Sequence, residues 1–123
     1  MNKQRLLILA NHLEKHVEPR EFDMSFWRYD AITCGTAACA CGHAASIPAF
    51  QKLGFLLEEH VRSFNGTDYT LVFGDFRGWI AVKKFFEIDT EDAYYLFSSG
   101  QYTTNPTPKE VATRIKEFIE RDE

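Results

Sequence analysis

Apolar residues recur at helical spacing along the first seventeen positions: Leu6, Leu9, Ala10, Leu13 and Val17 share one face, with Lys3, Arg5, Glu14 and Lys15 elsewhere. This predicts a helix from about Asn2 to Val17, ended by Pro19. From Phe22 to Asp30 the alternation is loose and rich in rings, predicting an extended or irregular connection. The next stretch, Thr36 to Ile47, is almost entirely small (Ala37, Ala38, Cys39, Ala40, Cys41, Gly42, Ala44, Ala45) and stops at Pro48. It predicts a buried central helix that lets its neighbours approach closely, with large rings filling the remaining volume.

Phe50 to Glu59 is ambiguous between helix and strand, and Gly54 weakens both readings. Asn65-Gly66 between Val61–Phe64 and Thr67–Phe73 predicts one short β-hairpin at the domain's edge, because both turn residues tolerate positive φ. Helices are then expected from Arg77 or Gly78 to Phe86, and from Asp89 or Thr90 to a stop at Gly100. Thr107-Pro108-Lys109-Glu110 is a complete helix start, with Thr as N-cap, Pro at N1 and Glu at N3. Val111, Ile115, Phe118 and Ile119 supply the last apolar stripe. The fold expected is a single α+β domain over residues 1–123, mostly α. About five helices surround the small-residue helix, with one short hairpin beside them.

Composition agrees with one core: 123 residues, 45% apolar and 26% charged. Eleven Phe, five Tyr and two Trp stand out: some must fill the core, and the number leaves room for an aromatic surface patch. The net charge is −4, unevenly spread. Residues 1–86 hold ten Lys or Arg against nine Asp or Glu, whereas residues 87–123 hold four against nine. No basic block exists for nucleic acid, and the acidic half disfavours anionic membranes. No run reaches the roughly 18 apolar residues of a membrane span, and the N-terminal run lacks a cleavage pattern. Three clustered cysteines are not a secreted disulfide framework, so a cytoplasmic protein is expected.

The one dense set of chemically capable residues is Cys34-Gly35-Thr36-Ala37-Ala38-Cys39-Ala40-Cys41-Gly42-His43. A metal site would draw on Cys34, Cys39 and His43, with His12 and His16 offered four apart on the first helix. The cysteine spacing is not that of a ribbon or finger, and Cys is a common buried residue, so packing is the expectation. A thiol nucleophile at Cys34, or a Cys39/His43 pair, is the further alternative. A phosphatase loop is excluded, because Ala40 and Ile47 stand where its Arg would follow Cys34 or Cys41. Val82 to Ala93 has the cadence of a helix-turn-helix, but Glu87 replaces the turn glycine. The second helix would also meet DNA with Asp89-Thr90-Glu91-Asp92, so an ordinary helical corner is expected.

The pattern Cys34-Gly35-Thr36, Cys39, Gly42, His43 and Ala44 resembles the core of a loose set of small uncharacterised bacterial and phage proteins. The Phe85 to Phe97 stretch and the closing Thr107-Pro108-x-Glu110-Val111 helix share that resemblance. Those proteins carry Trp as well as His at the position of His43, which argues against a ligand role there. The resemblance implies no activity.

These readings converge on a non-enzymatic accessory or regulatory protein that acts by protein–protein contact, in a phage or bacterial setting and without a cofactor. The loop Gly74–Gly78 and the residue after it present Phe76, Arg77 and Trp79, the residue types that dominate binding hot spots, as the candidate surface. A small metal-binding protein or a thiol-dependent enzyme are the alternatives.

Overall fold

The structure, a computed structural model, describes residues 1–31 and 35–121, and for Gly35 and Thr36 the backbone alone. Helix α1 spans Lys3–His16. Its N-cap Asn2 accepts the Arg5 N–H at 3.0 Å and donates its own backbone N–H to the Phe86 carbonyl at 2.8 Å. The Arg5 guanidinium donates to the Phe85 carbonyl at 2.7 Å and covers the Phe85 ring. The start of α1 is thus fastened to the end of α4 (Gly78–Phe86).

Helix α6 (Pro108–Arg121) packs along α1, burying Val111, Ala112 and Ile115 against Leu6, Leu9 and Leu13. Its capping box forms as its sequence predicts. Thr107 Oγ1 accepts the Glu110 N–H at 3.2 Å, and the Glu110 carboxylate accepts the Thr107 N–H at 3.4 Å.

The single short hairpin expected is overturned. The chain builds an antiparallel sheet in the order β2-β1-β4-β3, from β1 (Arg28–Ala31), β2 (Gly35–Ala37), β3 (Phe55–Ser63) and β4 (Gly66–Phe73). A two-residue strand, β5 (Phe76–Arg77), also pairs with β4. Because β3 pairs with β4 along its whole length, β1 and β5 share β4's other flank, β1 at Gly66–Tyr69 and β5 at Val72–Phe73. The Asn65-Gly66 turn lies where its chemistry places it, but it joins strands of nine and eight residues.

The long helix expected over Thr36–Ile47 is likewise corrected. Gly35–Ala37 is strand, and only Ala40–Ala44 forms a helix, α2. Ala38 explains the difference: its N–H donates to Glu21 and its carbonyl accepts from Asp23. These bonds to a neighbouring segment outweigh the few tenths of a kcal/mol by which alanine favours helix. Among the described residues there are six helices, with α3 (Pro48–Lys52) and α5 (Thr90–Phe97) completing the set. The small residues of α2 are buried as expected, including Ala40, Cys41 and Gly42.

Much of the aromatic surplus is core. Phe55 stacks on Phe85 with centroids 4.1 Å apart, Phe50 meets Phe85 edge-on at 4.8 Å, and Phe86 lies against Phe97.

Candidate functional site

The sheet outruns its helical cover. Phe55 and Leu71 are fully buried under the helices. Towards the hairpin turn, β4 continues as Thr70, Tyr69 and Asp68, and there a cleft of about 420 Å³ opens. Its other walls are the segment 24–27, Trp79 from the first turn of α4, Phe97 at the end of α5, and Ser98 and Ser99 just after it. This volume lies within the ~300–1,000 Å³ typical of ligand sites.

Each wall has a local cause. The segment 24–27 is held by Asp23, whose carboxylate accepts the Ser25 N–H and whose carbonyl accepts the Phe26 N–H, and by Cys39, whose N–H donates to the Phe26 carbonyl at 2.8 Å. Trp27 meets Trp79 edge-on at 5.1 Å, and Trp79 meets Tyr94 at 4.8 Å, which fixes the indole wall. Tyr69 donates to Asp30 at 3.1 Å, and the Arg28 guanidinium lies over the Tyr69 ring while binding the same Asp30 carboxylate. His60 joins the rim because a β-bulge falls between Glu59 and Val61, adding one residue to β3 and re-aiming a side chain. Ser98 and Ser99 are steadied from behind. Arg114 of α6 donates to the Tyr95 and Gln101 carbonyls, and Tyr102 donates to the Leu96 carbonyl at 2.7 Å. Burial pushes the Tyr102 hydroxyl up to about 12, so it remains a donor.

The candidate partner residues are divided. Trp79 lines the cleft, whereas Phe76 and Arg77 sit in β5, outside it. Phe76 is 39% exposed beneath the Lys84 ammonium, and Arg77 pairs with Glu58 at 3.1 Å.

The candidate metal and thiol residues are divided too. Cys34 lies outside the described residues. His43 donates from Nε2 to the Glu21 carbonyl at 2.7 Å and stacks on Phe22. The His12 and His16 rings lie with centroids 5.4 Å apart, and His12 is near enough to His43 for the charges to interact. Among the described residues, no group of three His, Cys, Asp or Glu is placed to hold a metal ion.

Cys39 borders the cleft from the N-terminal end of α2. Burial raises its thiol, but the Cys41 thiol and the N–H groups of Gly42 and Cys41 more than offset this and leave Cys39 below the ordinary range. Burial and the neighbouring Cys39 push Cys41 well above it. Cys39, His60 and Asp68 all border the cleft, yet among the described residues no hydrogen bond joins any two of them.

Sequence reasoning flagged Trp79 but missed Trp27, Asp68 and Tyr69, which lie some forty residues apart and meet only through the β1–β4 pairing. The one early signal was the ring density of Phe22–Tyr29. No family model matches this chain, and comparison with curated proteins and with solved structures likewise finds no match.

Proposed function

We propose that this is a non-enzymatic binding protein whose working surface is the aromatic cleft and whose ligand is a segment of a protein partner. The observation that carries this reading is the pairing of Trp27 and Trp79 on a cleft rimmed by hydroxyls and open beside the exposed Phe26. Aromatic walls bury large area with few rotatable bonds, and a polar rim gives direction to backbone hydrogen bonds. Among the described residues no base is hydrogen-bonded to Cys39, which favours binding over catalysis.

The test is selection from a random peptide display library on the purified protein, repeated with Ser99→Trp. Ser99 is exposed and borders the cleft, so an indole there blocks the opening without entering the core. Peptides that bind the native chain and lose binding to Ser99→Trp are the expected result. Selected peptides indifferent to that change would move the working surface elsewhere.

A thiol-dependent role is the second reading, favoured by the lowered Cys39 thiol at the cleft wall. Loss of the protein's biological effect in Cys39→Ser, with peptide binding intact, would support it.

A further inference from the structure

The electrostatics of the cleft are one-sided. Among the described residues that border it, Asp68 is the one Asp or Glu, and neither Lys nor Arg joins it. Its carboxylate has no ion pair or hydrogen bond among the described residues. Asp30, on the adjoining strand, differs: Arg28 binds it through Nε at 2.9 Å and Nη2 at 3.1 Å, and Tyr69 donates to it. The nearby cation is therefore already matched by its own anion, and the negative charge of Asp68 is left over.

The walls reinforce that sign. An aromatic face is electron-rich, and a cation within about 6 Å of a ring centroid is attracted to it, most strongly by Trp. The cleft supplies two indoles, Trp27 and Trp79, together with Phe26. Arg28 over Tyr69, with its carbon centre 5.0 Å from the ring centroid, is the same contact made within the chain. Aromatic faces beside an unmatched carboxylate form the combination that suits an ammonium or guanidinium group on an apolar stem.

We infer that the cleft selects a basic side chain, an arginine or lysine of the protein partner, with Asp68 as counter-ion and Trp27 and Trp79 as flanking faces. This rests on the cleft being the binding surface. Charge complementarity at longer range agrees: the chain carries −4 overall, and residues 87–123, which include the Ser98–Ser99 wall, carry the excess of acid. Such a field steers a basic partner towards the site.

The experiment sequences the library peptides that bind the native chain and fail on Ser99→Trp. A shared Arg or Lys is expected. Changing that residue to citrulline or norleucine should weaken binding at least tenfold, and Asp68→Asn should weaken it about fivefold with an unchanged unfolding midpoint. Raising salt should weaken the native complex more than the Asp68→Asn complex. A shared motif without a basic residue, still lost in Ser99→Trp, overturns the cation preference and leaves the cleft reading standing. Tetramethylammonium bound more tightly than any peptide overturns the protein partner. An Asp68→Asn chain that binds the basic peptides as well as the native one overturns the role of Asp68.

Discussion

The carbonyl oxygen of Trp27 fills the space beside Gly42 that a side chain would need: a Cβ built on Gly42 would lie 1.6 Å from that oxygen and 2.9 Å from the Ala38 Cβ. Backbone meets backbone here, so neither partner can swing aside. Even Gly42→Ala should destabilise the fold by about 1–3 kcal/mol or more, as overpacking does. It should also displace Trp27 from the cleft wall. Urea denaturation reads the first effect and tryptophan fluorescence the second. Native values for both would place Trp27 elsewhere.

Arg114 acts as a staple between α6 and the turn after α5, with its guanidinium also lying over the Tyr102 and Tyr95 rings at 3.8 and 4.6 Å. Arg114→Ala should cost about 1–3 kcal/mol, combining charge-assisted bonds with lost packing. Arg114→Lys should recover only part of it, because an ammonium lacks the planar fork. Since the staple steadies Ser98 and Ser99, peptide binding should weaken in both variants. Equal stability of the Lys and native chains would contradict this account.

His12 is held below the ordinary histidine value, chiefly by burial and then by His16 and His43. Burial also lowers His43, partly offset by the Glu21 carbonyl that accepts from it; Arg28 lowers it further. A native value below the unfolded one of about 6.5 means that the unfolded chain binds more protons as pH falls. The stabilisation is therefore complete above about pH 6.5 and is lost as pH drops through the depressed native values. Denaturant midpoints should fall between about pH 7.5 and 5.5, with a shallower fall in His12→Gln. A flat profile in the native chain would sink the assignment.

Cys39 and Cys41 are both buried, but only Cys39 borders the cleft and its thiol is the one held low. Limited treatment with iodoacetamide should label Cys39 before Cys41, read by mass mapping of the two positions. Cleft-binding peptides should slow that labelling. Cys41 labelled first would reverse the assignment of the low-lying thiol.

The elements that could be read in advance are those whose local chemistry agrees with their final state. Leu6 to Leu13 and Val111 to Phe118 each keep an apolar stripe, Asp89 and Thr107 cap their helices, and Asn65-Gly66 turns its hairpin. The strands that escaped notice lack such a signature. Arg28-Tyr29-Asp30-Ala31 alternates polar and apolar residues over only four positions, and all four are half-buried, so neither face is marked as core. Gly35-Thr36-Ala37 reads as the start of a helix until its pairing with β1 is known. The cleft was hidden for the same reason. Trp27 and Asp68 each look unremarkable in their own stretch of chain, and only the fold brings them beside Trp79.

The extra residue at His60 also bears on how copies of this chain behave towards one another. Among the described residues β3 has no strand on its outer side, and Leu56 and Val61 are exposed along it. A flat, regular edge of that kind is a template on which a second chain can add as a further strand and start an aggregate. The bulge breaks the repeat midway, and Glu58, Glu59 and Arg62 place charge along it. Deleting His60 would straighten this edge, and the chain would then precipitate at concentrations where the native protein stays dispersed.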